Sequence, residues 1–370
     1  MSLKSSLDAI LSRRFGSNVD DPGVQVTIVK DGQIVYEGAI GLAKVVCGNC
    51  NEEREQLTTS HRSNLYSGTK FFTACSILKL IEDGKLQPND KVQALLCRNF
   101  SGMSKYIPED ITVEDLIAHQ SGAPNPLPLQ WVHTPNDIPS FDEMKCLMDV
   151  LTKNTFRQRS SANDDLQSSR LPYAYSNVGY WLLGPIVTNS FEEGTKTSEF
   201  TSCCQELLNL PTSMSNEFNT TQPTAHGHVS LWSPLALAAY FFCPRKLIGP
   251  CTWKWIRMEP HYIGGTAYGG FIGSSRDVAT WLGQLLKGDV LSSTSLHRLF
   301  EPVNSSMTFG LHIKNHNGQE VYHKEGGGAG CHSSIQIRPK DKLAGCVIAG
   351  DASFDVNGLL DELLDVVQQH

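Results

Sequence analysis

Three short motifs contain residue types that together could perform acyl transfer. In the first, Ser67-Gly68-Thr69-Lys70, the hydroxyl and the amine are three residues apart and share a helix face. A serine at the start of this predicted helix would lie near unpaired N–H groups, which stabilise an alkoxide. Lys70 could then take the serine's proton if burial lowers the pKa of the amine. A second copy, Ser76 to Lys79, falls in mid-helix, where the N–H groups are already paired, so we interpret it as packing.

The second motif is Tyr175-Ser176-Asn177, the only Tyr-x-Asn in the chain. In an extended segment, alternation places Tyr175 and Asn177 on the same side. A tyrosine close to a lysine ammonium loses its proton more readily and could serve as a base. The amide of Asn177 could hold Lys70 or a substrate carbonyl. The alternative is that Tyr173 and Tyr175 only pack at the mouth of the following helix.

The third motif runs from His323 through Lys324 to Gly330 and contains four glycines. Glycines let a backbone approach a ligand closely with an N–H group free to donate. Lys324 adds a cation directly before a predicted strand. The alternative is an ordinary glycine-rich turn.

The order Ser-x-x-Lys, Tyr-x-Asn, Lys-x-Gly, with about 100 or more residues between the motifs, resembles the serine β-lactamase and penicillin-binding-protein family. It is most similar to the class C β-lactamase-like branch, which includes esterases, transesterases and D-aminopeptidases. Further segments resemble the same branch: Pro22 to Ala43, Thr112 to Gly122 and Gly269 to Asp277.

The resemblance implies that Ser67 is the acylated nucleophile and Lys70 its proton partner. It implies that Tyr175 is the base that activates first the serine and later the deacylating water. Asn177 would orient Lys70 or the substrate amide, and Lys324 would occupy the cationic position of the third motif. The N–H groups of Ser67 and Gly327 would form the oxyanion hole. No metal or cofactor is required.

One position departs from the family pattern. The third motif reads Lys-Glu-Gly, and Glu325 replaces a hydroxyl that often meets the carboxylate of a β-lactam. An acidic residue would repel such a carboxylate and is expected to pair with Lys324 instead. A register shifted by one residue would place His323 in the cationic position. Both this replacement and the alternative register weigh against antibiotic hydrolysis more than against acyl transfer.

Strand-like runs lie at both ends of the chain and helical patterns lie in the middle, which predicts an α+β fold with an antiparallel sheet flanked by helices. At 370 residues the chain exceeds the usual single core. We therefore expect a sheet domain formed by residues 1–62 and 226–370, with residues 63–225 inserted as a mostly helical lobe. Asp31-Gly32 predicts the first hairpin. The predicted C-terminal strands are Phe309 to Lys314, Gln319 to Tyr322, Ser333 to Ile337 and Leu343 to Ile348.

Composition excludes several classes of partner. The net charge of −7 and the absence of a lysine or arginine run disfavour nucleic acid. No apolar run approaches the ~18 residues of a membrane span. Met1 to Phe15 predicts a surface helix instead of a signal peptide, because it has no apolar central segment. Eleven scattered cysteines, an odd number, favour reduced thiols and a cytoplasmic location.

The expected partner is therefore a small-molecule ester, amide or lactam, hydrolysed or transferred through an acyl-enzyme. Two alternatives are a true β-lactamase or DD-peptidase, and a catalytically silent binding or scaffold protein. A third alternative is that Cys47 and Cys50 bind a metal ion together with His226 and His228. The loops expected to wall the pocket are Ala123 to Pro139, Asn189 to His228, and the segment with Trp253, Trp255 and Tyr262. Oligomeric state does not follow from the sequence.

Overall fold

The structure is a computed structural model that describes residues 2–46, 53–97, 100–127, 131–137, 141–157, 170–191, 199–218 and 222–370. It is an α+β fold, as predicted from the sequence. The strands are β1 Val24–Lys30, β2 Gln33–Ile40, β3 Ser63–Asn64, β4 Val132–His133, β5 Gly227–Ser230, β6 Ile248–Cys251, β7 Trp255–Met258, β8 Tyr262–Ile263, β9 Ile272–Gly273, β10 His312–His316, β11 Gln319–Gly327, β12 His332–Arg338 and β13 Leu343–Ala349.

A six-stranded antiparallel sheet forms the centre, in the order β10-β11-β12-β13-β1-β2. The two ends of the chain meet in it, because β1 pairs with β13 along its whole length, from Val24 opposite Ala349 to Lys30 opposite Leu343. Asp31 and Gly32 close the β1–β2 hairpin with φ of 51° and 71°, the left-handed pair that a two-residue turn needs. All four predicted C-terminal strands are present, although β11 continues to Gly327 instead of ending at Tyr322.

Helices cover both faces of this sheet. They are α1 Leu3–Phe15, α2 Thr69–Glu82, α3 Val92–Cys97, α4 Ser101–Ser104, α5 Val113–Ile117, α6 Glu143–Lys153, α7 Asn177–Asn189, α8 Phe200–Leu208, α9 Pro234–Phe242, α10 Thr266–Gly269, α11 Ser275–Lys287, α12 Ser293–Phe300 and α13 Val356–Gln369. On one face α1 and α13 pack against β1 and β13, with Leu7, Leu363 and Val26 fully buried. On the other face α11 packs against the same two strands.

The helix α2 is buried on nearly every face and lies between the sheet and the other helices. It packs against α7, α8, α10 and α12. The rings of Phe71 and Phe72 lie 5.7 and 5.0 Å from the ring of Trp281 on α11. Burying one such aromatic side chain contributes about 1.5–3 kcal/mol. The end of α2 that begins beside Ser67 is therefore held rigidly.

The fold also bears on two predictions from the sequence, the absence of a membrane span and the division into domains. No helix among the described residues is long and apolar enough to cross a bilayer. The division into residues 63–225 and the remainder stays a prediction, since the core around α2 also includes α10 and α11, which follow residue 225.

Candidate active site

Ser67 lies in a single 3₁₀ turn, Tyr66–Gly68, directly before α2. The expected position was inside the first turn of the helix, but α2 begins only at Thr69. Tyr66 has φ of 45°, a conformation that a bulky residue adopts only under constraint. Its hydroxyl supplies that constraint, lying 2.8 Å from His261 Nε2 and 3.1 Å from the carbonyl oxygen of Ala329. The residue that precedes the serine is thus held by two contacts of its hydroxyl.

Lys70 is fully buried, and its Nζ contacts three oxygen atoms. These are Ser67 Oγ at 3.0 Å, Asn177 Oδ1 at 2.8 Å and the carbonyl oxygen of Tyr268 at 2.9 Å. Two of the three oxygens carry no proton and can only accept. A neutral amine would donate its two N–H groups to these and direct its lone pair at Ser67 Oγ, which is the arrangement for removing the serine's proton.

Burial favours that neutral form. It lowers the pKa of Lys70 well below its ordinary value, and the nearby Lys324 ammonium lowers it further. A lowered pKa of Lys70 is the condition, expected from the sequence, for its amine to take the proton of Ser67. Among the described residues no carboxylate forms an ion pair with Lys70 that would restore the charge.

Tyr175 Oη lies 2.6 Å from Ser67 Oγ, within hydrogen-bonding distance. The tyrosine precedes α7, whose N-cap Ser176 accepts a hydrogen bond from Gly179 N and donates one to Pro124 O at 2.7 Å. Asn177 begins the helix instead of continuing an extended segment, yet its amide still reaches Lys70. Burial raises the pKa of Tyr175 to about 12. The phenol is therefore neutral at physiological pH, contrary to the expectation that a lysine neighbour makes it readily lose its proton.

His119 is a positioning residue that sequence reasoning missed. Its Nδ1 accepts a hydrogen bond from Ser176 N at 3.2 Å, and its carbonyl oxygen accepts one from Ala174 N at 2.8 Å. Its ring packs against Tyr175 with 4.5 Å between the centroids. Burial lowers the pKa of His119 well below its ordinary value, so the ring stays neutral. His119 has a φ of 56°. The spacing of residues in the sequence predicts neither this backbone conformation nor the hydrogen bonds that His119 makes with residues 174 and 176.

Lys324 lies on β11 with its Nζ over the Tyr175 ring, 5.6 Å from the centroid. Lys324, and not His323, therefore faces Tyr175. Burial lowers the pKa of Lys324 to about 7. The Nζ has no hydrogen-bond partner within the part of the chain that the structure describes. A buried donor without a partner is costly, and here it is available to a ligand.

Glu325 does not pair with Lys324, which corrects the sequence-based expectation. Successive residues of a strand point to opposite faces, so residues 324 and 325 diverge. The Glu325 carboxylate instead lies 3.6 Å from His332 Nε2 and 3.5 Å from His323 Nδ1.

Gly326 lets β11 approach the Ser67 turn. A Cβ at this position would lie 1.9 Å from the carbonyl oxygen of Leu65 and 2.8 Å from Gly68 N. We expect Gly326→Ala to push the strand away from the turn, lowering stability by about 1–3 kcal/mol and kcat/KM by about tenfold or more. Denaturant unfolding and ester turnover measure the two effects.

Gly327→Ala is the matched control for stability, because a Cβ there would meet nothing closer than 3.8 Å. Its free energy of unfolding is expected to stay near that of the wild type. A Gly326→Ala protein with both wild-type stability and wild-type turnover would show that the close approach is not required.

Two cavities meet at Ser67 and Gly327, which line both. One, of about 380 Å³, is walled mainly by apolar side chains: Tyr66, Leu127, Val132, Leu247, Ile263 and Tyr268. The other, of about 530 Å³, is polar and is lined by Tyr175, Ser306, His312, His323, Lys324, Glu325 and His332.

The apolar cavity differs in part from the expected pocket. Leu127 and Val132 come from the first predicted loop, but the described residues of the second predicted loop and the tryptophans of the third do not line this cavity. Trp253 is 80% exposed on the surface, and Trp255 is buried in a separate small sheet.

The metal interpretation finds no support among the described residues, where no group of three or more histidine, cysteine or acidic side chains is placed to hold an ion. His228 uses both ring nitrogens on backbone, with Nδ1 3.0 Å from Gly350 O and Nε2 accepting from Val45 N. Cys47 and Cys50 lie outside the described residues.

Matches with known proteins are of three kinds: a family model, curated proteins and solved structures. A family model described as Beta-lactamase matches residues 11–365. Among curated proteins, "Protein flp" of Staphylococcus aureus (strain COL) is 29% identical over 172 residues, which is 45% of this chain and 30% of that protein. An N-acetylmuramyl-L-alanine amidase of Bacillus subtilis (strain 168) is 29% identical over 172 residues, 45% of this chain and 36% of that protein. The matching region thus spans about a third of these relatives.

Solved structures match over nearly the whole chain. A D-amino acid amidase from Ochrobactrum anthropi SV3, complexed with D-phenylalanine, has a TM-score of 0.73 at 19% identity and covers 99% of both chains. A penicillin-binding protein from Bacillus halodurans has a TM-score of 0.67 at 18% identity, covering 98% of this chain and 99% of its own. At such identities the likeness establishes the fold.

Proposed function

The chain belongs to the Beta-lactamase family, and from that premise we propose that it is a serine hydrolase or acyltransferase acting on carboxylic esters or amides through an acyl-enzyme on Ser67. The observation that carries the proposal is the convergence of Ser67, Lys70 and Tyr175, which lie up to 108 residues apart in sequence, around one hydroxyl oxygen.

In the first step neutral Lys70 removes the proton of Ser67 as Oγ attacks the substrate carbonyl. The lowered pKa of Lys70 and its 3.0 Å distance to Ser67 Oγ support this role. Tyr175, neutral because its pKa is raised, donates a hydrogen bond to the developing alkoxide. The N–H groups of Ser67 and Gly327 would bind the oxyanion, a role that comes from the family and agrees with both residues lining the two cavities.

In the second step the tetrahedral intermediate expels its alcohol or amine. The leaving atom needs a proton as its bond to carbon breaks, and Tyr175 is the nearest neutral acid to Ser67 Oγ. The Lys70 ammonium then gives the proton it gained from Ser67 back to the Tyr175 phenolate, so that both groups regain their starting states before deacylation. Water, or a second nucleophile in a transfer reaction, then repeats the sequence in reverse to release the acyl group.

The apolar cavity supports an acyl group with a hydrophobic side chain. Its volume of about 380 Å³ holds a phenyl-sized substituent. The structurally similar D-amino acid amidase was solved with D-phenylalanine, which agrees with such a preference. We do not propose β-lactam hydrolysis, because Glu325 replaces the hydroxyl that in the family often meets the β-lactam carboxylate, and its own carboxylate would repel that group.

The cysteines support a reducing, cytoplasmic compartment. None of the nine cysteines within the described residues forms a disulfide there, although Cys203 and Cys204 are adjacent. The chain's acidic balance of −7 agrees with a small-molecule substrate and not with nucleic acid.

A fluorophosphonate probe tests the proposal directly. We expect one covalent adduct per chain by intact mass and its location at Ser67 after proteolysis, because the probe reacts only with an activated serine. Ser76→Ala is the matched control, since Ser76 stands in the second Ser-x-x-Lys and donates its hydroxyl proton to Phe72 O. An adduct that forms elsewhere, or no adduct on folded protein, would contradict the assignment.

A further inference from the structure

Ser67 lies between two chemically different cavities, so a bound substrate has one part in each cavity. A substrate for acyl transfer carries one group on each side of its reacting carbonyl. Because Ser67 and Gly327 line both cavities, one group must enter the apolar cavity and the other the polar cavity. The two cavities therefore correspond to the acyl group and the leaving group.

The group that donates the proton determines which cavity holds the leaving group and which holds the acyl group. Tyr175 and Lys324 line the polar cavity, whereas Asn177 lines the apolar one. The leaving atom receives its proton as the bond to the carbonyl carbon breaks, so it must face the group that donates this proton. The leaving group therefore occupies the polar cavity, and the acyl side chain occupies the apolar cavity.

We infer that Glu325 makes the polar cavity a binding subsite for leaving groups that carry a positive charge, and that it rejects leaving groups that carry a carboxylate. This inference rests on the proposed function of Ser67. It adds a specificity that neither the family nor its motifs supply, since the family pattern has a hydroxyl at this position.

Glu325 is placed to act on a ligand. Its side chain is 42% exposed and opens into the cavity that Ser67 also lines. Its position is fixed because Gly326, the next residue, packs against the backbone of the Ser67 turn. A hydrogen bond from His332 holds the pKa of Glu325 down to about 2, so the group is a carboxylate at every pH at which the enzyme would work.

The other titratable groups of the cavity offset this charge only in part. Burial lowers the pKa of His312 to about 3 and also lowers that of His323, so both rings are neutral at pH 7. Lys324 has a pKa of about 7 and loses its charge above it. Glu325 raises the pKa of His332, whose imidazolium therefore weakens the carboxylate at low pH and less so as the pH rises.

The buried Lys324 is a second sign that a ligand group belongs here. Lys324 is only 1% exposed. Its Nζ lies over the ring of Tyr175 and lacks a hydrogen-bond partner among the described residues. An acceptor atom of the leaving group, such as its ester oxygen, would satisfy this donor while a distal cation reaches Glu325.

Three esters of phenylacetic acid test the inference, differing only in the charge of a branched alcohol of similar shape. The alcohols are 2-(trimethylammonio)ethanol, its neutral isostere 3,3-dimethylbutanol, and 3-carboxy-3-methylbutanol. At pH 8 and low ionic strength we expect kcat/KM to be about tenfold higher for the cationic ester than for the neutral one, and about tenfold or more lower for the carboxylate. Added salt should reduce both ratios.

Glu325→Gln keeps the shape of the side chain and removes its charge, so the ratio of cationic to neutral ester should fall to about one. Glu320→Gln is the matched control, because Glu320 is an exposed residue of the same strand outside both cavities, and all three rates should stay unchanged. If Glu325→Gln fails to fold, the wild-type rates still test the subsite, because equal rates for the three esters would overturn it.

The possible failures are distinguishable. Equal rates for all three esters, with turnover that depends on Ser67, would overturn the subsite and leave the proposed function standing. Turnover of none of them, together with no fluorophosphonate adduct, would overturn both. A cationic preference that survives Glu325→Gln would overturn the assignment to Glu325.

Discussion

Replacing Ser67 with alanine is expected to lower kcat/KM for a p-nitrophenyl ester by about 10⁴-fold or more. The change removes Ser67 Oγ, which both Lys70 Nζ and Tyr175 Oη contact, and with it the acyl-enzyme. The loss should appear in kcat, because the cavity walls that bind the substrate stay in place. Initial rates with the wild type and the variant at matched concentration measure it.

The chain contains its own control for this experiment. Ser76→Ala alters the second Ser-x-x-Lys copy, whose serine is buried in mid-helix, and should leave the rate unchanged. Thermal unfolding of both variants checks that each is folded. Ester turnover by folded Ser67→Ala at the wild-type rate would place the chemistry elsewhere and end the proposal.

Local signals in the sequence were sufficient for much of the fold. The hairpin at Asp31-Gly32 could be predicted because a two-residue turn demands left-handed conformations that few residue pairs supply. The capping box of Thr112 and Asp115 formed as its spacing indicates. Three motifs at long separation also indicated which side chains meet, because the order of motifs resembled a known family.

The contacts that set the chemistry had no such signal. The carbonyl oxygen of Tyr268 completes the surroundings of Lys70, but any residue has a carbonyl, and its place depends on α10 packing against α2. His119 reaches Ser176 across 57 residues through a backbone conformation that spacing does not encode. The pKa values of Lys70 and Tyr175 follow from burial, which only the assembled core determines.

For Glu325, in contrast, the sequence contained enough information to predict the direction of its side chain. Adjacent residues of opposite charge suggested a pair, yet within a strand they must point to opposite faces. The prediction of a pair with Lys324 was wrong because β11 was expected to end at Tyr322. Extending the strand by five residues, to Gly327, turns the Glu325 carboxylate away from Lys324 and toward His323 and His332.

Lys70→Met is expected to lower kcat/KM by about 10³–10⁴-fold, because methionine fills the buried volume of the lysine but cannot accept a proton. Lys79→Met is the matched control. Lys79 belongs to the second Ser-x-x-Lys and pairs with Glu82 at 2.7 Å near the surface, so its loss should leave the rate unchanged. An inactive Lys79→Met protein would mean that the helix tolerates neither change, and the comparison would then fail to single out Lys70.

The pH profile separates Lys70 from Tyr175 as the base. If neutral Lys70 removes the serine's proton, kcat/KM rises with pH through the pKa of Lys70, which burial and Lys324 hold well below that of a free lysine, and then levels off. If the Tyr175 phenolate were the base, the rise would continue toward about 12, because burial raises that pKa. Lys70→Met should abolish the acidic limb along with most of the rate. A limb that persists in Lys70→Met would show that another group carries the titration: a midpoint near 7 would assign it to Lys324, and a rise continuing toward about 12 would assign it to Tyr175.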